Sequence, residues 1–359
     1  MHDEMGGNKM LKENTEVEKI VAPLISNKLK PHVKKIDLEA FYAEDYLKSL
    51  GEAGLLLSPG QVTAEVVARE MAVVEETAKS CMTTAFNLWC HLASLTYIRS
   101  SDNQLLKDEL LKKLEDGSTL GATGLSNPMK NYAGLEMLHL TAEKADDEYI
   151  LNGNLPSVSN LGQDHWFGVV ASADENHEVM ALVPCYTGGL TLKEKAEYLG
   201  VNGSATYACQ FRDVHIPAKY VISTDAQSFV QSIRPYFVLY QIPLGFGVTA
   251  ASIQSIEKAS AKQGGANAYL SVQADELSQE LKLLRNRADH LIAENDWQEI
   301  LKVRLETAQL TLKAVQADML HNGGAAYLQK SHPARRLREA YFLANLTPTI
   351  RHLEKLLAN

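Results

Sequence analysis

The sequence predicts an α+β protein in which a short β-rich middle module separates two helical ones. Three observations carry this expectation. From Glu13 to about residue 119, apolar residues recur at helical spacing. From 120 to 224 the chain breaks into short alternating runs punctuated by Gly, Asn, Asp and Pro. From 225 the helical spacing returns and holds to the end. The expected modules are therefore 1–119 (helical), 120–224 (a small β-barrel or sandwich) and 225–359 (a helical bundle). A ligand site is expected where they meet, around Leu120–Asn160.

Bulk properties narrow the function classes. The 359 residues are enough for two or three domains, and 45% hydrophobic content supports a sizeable core. A formal charge of −9 argues against nucleic acid, whose phosphates need a basic face. No apolar run approaches the roughly 18–20 residues a bilayer span needs, so no membrane partner is expected. The opening MHDEMGGNKMLKENTEVEKI lacks an apolar run after a basic start, so a secretory leader is not expected either. Cys81, Cys90, Cys185 and Cys209 have no CxxC spacing and sit in apolar contexts. They read as reduced core thiols of a cytoplasmic protein, with no metal role.

In the first module, Val17, Ile20, Val21, Leu24, Ile25 and Leu29 mark a helix over 13–35, with Pro23 as a kink or break. A short helix follows over 42–50, punctuated by Gly51 and Gly54. Thr63 fits the N-cap of a helix over 63–79 with Val66, Val67, Met71 and Val74 as its buried stripe. CMTTAFNLWCHLASLTYIRS is apolar all round, as a helix buried on several sides would be. His91 within it reads first as a hydrogen-bonded core residue. Residues 102–115 form a further helix before Asp116-Gly117.

In the middle, 136–142 alternates as a strand, Asp146-Asp147 turns the chain, and 149–151 returns it to a second turn at Asn152-Gly153. Strands follow over 166–172, 179–183 and 205–212, with a turn at Gly188-Gly189. The small and hydroxyl residues around Pro128 suit a planar ligand approaching the backbone, although ordinary turn chemistry would use the same residues. In the last module, 228–262 reads as one long helix carrying Pro235 and Pro243, and its GFGVTAAS suits tight helix contact. Helices over 269–294 and 297–320, a basic patch at HPARRLREAYF and a final helix to Asn359 complete a bundle. Phosphate-binding glycine loops, the GxSxG elbow and HExxH do not occur.

Five phrases, in order, resemble the acyl-CoA dehydrogenase family of flavoproteins: LKSLGEAGLL, GLSNP at the place of the family's TEP motif, YILNGNLPSVSN, YACQFRDVHIPAKYVI and NGGAAYLQKSHPARRLREA. The resemblance covers nearly the whole chain. It implies a helical N-domain, a middle β-domain, a C-terminal four-helix bundle, FAD between β-domain and bundle, and a homodimer or homotetramer. It also implies oxidation of an acyl-CoA thioester at Cα–Cβ, with a carboxylate taking the α-proton and flavin the hydride.

Residue by residue, the resemblance puts Leu125 and Ser126 at the flavin edge and Ser159 at the position that hydrogen-bonds near the flavin's reactive nitrogen. Ser157 stands where an aromatic often covers the ring. The usual catalytic Glu lies seven residues after an Arg-Asp-Ala triplet; here Arg338-Glu339-Ala340 leads at that spacing to Thr347, which is no base. The other family position for a Glu falls in a stretch with no acid between Asp225 and Glu257. The family's Arg and Phe for the FAD pyrophosphate and adenine are missing from SAKQGGANAYL, where Lys262 is the nearest substitute, and its Gln before the double Gly is Leu320. The catalytic base is therefore unassigned, with His321, Glu339 and His91 as candidates that read more readily as structural. Two alternatives stay open beside the dehydrogenase: a flavin-dependent monooxygenase of the same fold, and a non-catalytic relative that binds an acyl or flavin ligand.

Overall fold

The computed structural model describes residues 16–174, 177–195, 197–260 and 263–358. The expected start at Glu13 and the candidate Lys262 lie outside them. The chain opens on a helical run over 16–24 that passes into a π turn (Ile25–Leu29), a 3₁₀ turn (Lys30–His32) and a helix at Val33–Leu38. Pro23 sits inside the first segment without ending it, and the wider turns begin two residues later. Val17, Val21, Ile25 and Leu29, spaced by four, make the buried row, while Ile20 is off it and 45% exposed.

Helix Ala64–Ser80 starts at Thr63, whose hydroxyl accepts from the Val66 N–H at 3.2 Å. Helix Met82–Ser100 is buried at every residue from Met82 to Arg99, so it runs through the middle of the molecule. Its one full charge, Arg99, is matched there by Glu70 at 2.8 Å and Glu115 at 3.1 Å.

The strands are β1 (Gly121–Thr123), β2 (Leu140–Ala145), β3 (Glu148–Val158), β4 (Trp166–Ser172), β5 (Glu178–Pro184), β6 (Leu190–Glu194), β7 (Tyr207–Pro217) and β8 (Val221–Ser223). They form one sheet in the order β6-β7-β3-β2-β4-β5-β8, with β1 parallel to β4 at its side. An apolar cluster including Leu140, Leu151, Phe167, Val183, Phe211 and Val214 fills its inside. Two sequence expectations fail here. The hairpin turn is Asp146-Asp147 alone; Asn152-Gly153 lies within β3, at a register shift against β7. Gly153 is needed because a Cβ would come within 2.2 Å of the His139 carbonyl oxygen, a close approach rather than a turn. And 136–139 is not strand: Met137 is 80% exposed, and pairing begins at Leu140. The short strands β1, β6 and β8 were not expected, since three to five residues leave too little alternation to read.

Beyond the sheet, the expected single helix over 228–262 is two, Ala226–Leu239 and Ile242–Ser260, broken at Tyr240-Gln241. Taken together, Ala226–Ser260 is long and apolar enough by composition to cross a membrane, contrary to the reading that no stretch approaches this; 83% of the apolar 18-residue window within it is buried in the protein core. Gly245 and Gly247 permit close packing: a Cβ would sit 2.5 Å from Thr307 Cγ2 at the first and 2.5 Å from Ala78 Cβ at the second. Helices Ala274–Glu294, Trp297–Asn322, His332–Asn345 and Ile350–Leu357 complete this part. The expected basic patch is a helix whose Arg335 and Arg336 are buried, paired with Glu339 and Asp318.

Candidate functional site

The end of β3, the segment 198–201, the run into β7 and the helix His332–Asn345 line an open cavity of about 430 Å³. Ser157 and Ser159 enter it from β3 and the loop after it, Thr206 from the run into β7, and Arg338, Tyr341, Phe342 and Asn345 from the helix. Ser159 Oγ and Thr206 Oγ1 stand 2.7 Å apart, and Thr206 is in turn 2.8 Å from Ser204 Oγ, so a row of hydroxyls edges a mainly apolar chamber whose other polar side chains are Arg338, Asn345 and the two tyrosines. Ser157 is exposed, and its hydroxyl donates only to the Pro156 carbonyl, 2.7 Å away. No aromatic from β3 covers the chamber; Tyr341 and Tyr198 line it from other segments. Thr206, Tyr341 and Asn345 have no signature that the sequence alone singles out, because a fold contact between distant segments brings them here.

Leu125 and Ser126 do not line this cavity. The Leu125 side chain is wholly buried in the core, and its N–H donates to Thr123 Oγ1 at 3.2 Å. Ser126 opens the helix Ser126–Tyr132 and meets Thr347, hydroxyl to hydroxyl, at 2.9 Å. Thr347 follows Asn345 by two residues, so this contact adjoins the chamber along the chain. Neighbouring Asn127 serves the local fold: its amide donates to the Glu136 carboxylate and the Met137 carbonyl, and its oxygen accepts from the His139 N–H.

The turn carrying Thr347 is held from behind. Its carbonyl accepts from Gln241 Nε2 at 2.9 Å, and Gln241 Oε1 accepts from Arg304 Nε at 2.9 Å. Arg304 is fully buried, donates also to the Leu343 carbonyl and has no carboxylate partner among the described residues; burial pulls its pKa down to about 9. The break between the two helices at Tyr240-Gln241 is what lets Gln241 reach this turn.

None of the three candidate bases faces the chamber. Glu339 receives Arg335 on both oxygens, at 3.0 and 2.9 Å, and the Thr83 N–H and hydroxyl at 3.2 Å, closing the start of helix Met82–Ser100. His91 accepts the Gly121 N–H on Nδ1 at 2.8 Å and donates from Nε2 to the Leu114 carbonyl at 3.0 Å; burial pushes its pKa down to about 3. His321 Nε2 donates to the Val272 carbonyl at 2.9 Å, far from the strands. Among the described residues no group of His, Cys, Asp or Glu could hold a metal ion, and the four cysteines are free and buried.

No protein-family model matches the chain. It is 24% identical over 364 residues to the probable acyl-CoA dehydrogenase YngJ of Bacillus subtilis (strain 168), covering 92% of this chain and 93% of that one. A 28% match to the mitochondrial short-chain specific acyl-CoA dehydrogenase of Rattus norvegicus spans 56% of this chain and about half (51%) of the relative. In fold it is similar to a glutaryl-CoA dehydrogenase from Mycobacterium smegmatis solved in complex with FADH2, with a TM-score of 0.83 at 17% identity, over 98% of this chain and 95% of that one. Along almost its full length the chain is thus similar in sequence to a probable acyl-CoA dehydrogenase, and it shares the fold of the acyl-CoA dehydrogenases.

Proposed function

We propose that the protein is an acyl-CoA dehydrogenase-like flavoprotein that oxidises an acyl-CoA thioester at Cα–Cβ with FAD. The observation that carries this is the chamber between the sheet and the helix His332–Asn345, edged by Ser159 and Thr206, with Thr347 two residues beyond its lining residue Asn345. Its mainly apolar walls, with a row of hydroxyls and Arg338 and Asn345 as polar groups, fit a planar ring that needs few polar partners. Bound flavin would supply the hydride acceptor. The chain's part is to hold that ring with Ser157 and Ser159, and to exclude water with Tyr341 and Phe342; Leu125 and Ser126, the other two positions the resemblance points to, lie outside the chamber. No residue of this chain is assigned as the base, since Thr347 occupies the usual Glu position.

Further along the chain the fit is poorer: Leu320, at the place of the family's Gln, is 65% exposed and apolar. Together with exposed Tyr327 and Leu328 it supports a homodimer or homotetramer that covers this end. Four free buried thiols support a cytoplasmic setting, and the strands, which all fall between Gly121 and Ser223, support module boundaries near 119 and 224.

The test is cofactor uptake followed by anaerobic addition of butyryl-CoA. A yellow protein whose flavin band bleaches supports the reading; a protein that refuses FAD removes it. The engagement of Glu339, His91 and His321 favours one second reading, a flavin-dependent monooxygenase of the same fold. That reading requires no bleaching by thioesters and oxygen consumption when reduced flavin is supplied.

A further inference from the structure

The residue after Ser159 is the most heavily tied point near the chamber. Asn160 is fully buried and has φ +63°, in the left-handed region that asparagine tolerates better than most side chains. Each of its four polar groups is bonded to a different residue. Its N–H donates to the Ser204 carbonyl at 2.9 Å, and its carbonyl accepts from His165 Nδ1 at 2.8 Å. Its Nδ2 donates to the Gly121 carbonyl in β1 at 2.8 Å, and its Oδ1 accepts from the Tyr42 hydroxyl at 2.7 Å. Tyr42 belongs to the N-terminal helical part, just before helix Glu44–Glu52. Glu44 of that helix adds a second tie, 3.6 Å from His165 Nε2.

The Leu161 N–H also donates to the Ala205 carbonyl, at 3.1 Å, so residues 160–161 are fastened to 204–205. Ala205 has φ +48°, a strained conformation for alanine that these outside bonds help to hold. One residue from each half of this pairing stand Ser159 and Thr206, whose hydroxyls lie 2.7 Å apart at the chamber's edge. Asn160 and Tyr42 do not themselves line the chamber. From this arrangement we infer that Asn160 and Tyr42 are positioning residues for the bound flavin, acting through the Ser159–Thr206 hydroxyl pair. The inference rests on the flavin reading above. Without the Tyr42 hydroxyl, the buried Asn160 Oδ1 loses its partner and the turn carrying Ser159 gains freedom. The ring must then order that turn as it binds, and affinity falls.

The experiment titrates FAD into full-length protein, reading the dissociation constant from flavin absorbance and the stability from the urea midpoint. Tyr42→Phe and Asn160→Gly are each made in the wild type and in a Ser159→Ala, Thr206→Val background. In the wild type, Tyr42→Phe should weaken FAD binding about fivefold. Asn160→Gly keeps the left-handed backbone, loses both side-chain bonds and should weaken it further. In the background without the two hydroxyls, neither substitution should weaken it again. A merely structural role predicts otherwise: a lower urea midpoint with an unchanged dissociation constant, as expected for Gly247→Ala. An unchanged constant in Tyr42→Phe therefore overturns the inference, and so does equal weakening in both backgrounds. If Asn160→Gly does not fold, Tyr42→Phe decides alone. A wild-type protein that takes up no FAD removes the flavin reading itself, an outcome distinct from either of these.

Discussion

Ser126 Oγ lies 2.9 Å from Thr347 Oγ1, joining the helix that follows β1 to the turn between the last two helices. These residues are 221 positions apart, and each is a hydroxyl where the family resemblance leads one to look for a flavin contact and a carboxylate. The pair can share a proton between them, but neither is a base at neutral pH. Thr347→Glu is expected to place a carboxylate at this point and raise the rate of anaerobic flavin bleaching by butyryl-CoA about 100-fold or more, the usual contribution of a positioned base. An unchanged rate in a folded, FAD-loaded variant would take Thr347 out of the reacting position.

Ser126→Ala removes one side of that contact and leaves the buried Thr347 hydroxyl without it. We expect a stability loss of about 1 kcal/mol by denaturant titration, together with weaker FAD retention on dialysis. Normal retention would show that Ser126 holds the turn and not the cofactor.

Gln241 is the strut behind the same turn, bonded to the Thr347 carbonyl and to Arg304 at 2.9 Å each. Gln241→Ala strands a buried carbonyl and removes one of the two acceptors of a buried guanidinium. The expected cost is about 2–4 kcal/mol, read from the urea midpoint. A loss below about 0.5 kcal/mol would mean that water or a shifted side chain replaces it.

His91 sets a pH response. The Gly121 N–H needs the Nδ1 lone pair, so the folded state holds a neutral ring with a pKa near 3, against about 6.5 unfolded. Below about pH 6.5 the unfolded chain binds a proton the folded one does not. The stabilising contribution is therefore complete above that pH and declines towards pH 3, by up to about 1.4 kcal/mol per unit. Other histidines with lowered values, including His165 and His352, act in the same direction, so the comparison must be with a variant. His91→Gln should be less stable at pH 8 yet lose less between pH 6.5 and 5; parallel curves would contradict the assignment.

Helix contact at Gly247 gives a packing test. An added methyl would lie 2.5 Å from Ala78 Cβ and 2.6 Å from the Glu75 carbonyl oxygen, whereas at Gly188 nothing lies within 4 Å. Gly247→Ala should destabilise by about 1–3 kcal/mol and Gly188→Ala by little, measured by thermal or urea unfolding. Equal effects would show that the helix pair yields easily.

Much of the architecture is legible in local pattern. Thr63 before an apolar stripe marks a helix start, and the row Leu277, Leu281, Leu284, Ala288, Leu291 marks a buried helix face, because these signals act over one or two turns of chain. Asn152-Gly153 misleads for the same reason. The pair has the local chemistry of a hairpin, while the need for glycine comes from the His139 carbonyl on a neighbouring segment. HPARRLREAYF misleads too, since a charge count cannot show that Asp318 and Glu339 wait inside for Arg336 and Arg335.

By itself, then, the sequence determined three modules in order, a resemblance to the acyl-CoA dehydrogenases and the absence of a carboxylate at the two positions where that resemblance leads one to look. Tertiary structure alone decided which residues meet: Ser159 with Thr206, Ser126 with Thr347, Gln241 with Arg304, and Asn160 with Tyr42. Spacing along a helix or strand repeats within a few residues, and so can be read from the chain. Contacts across 47 to 256 positions depend on how whole elements pack, and no local rule encodes them.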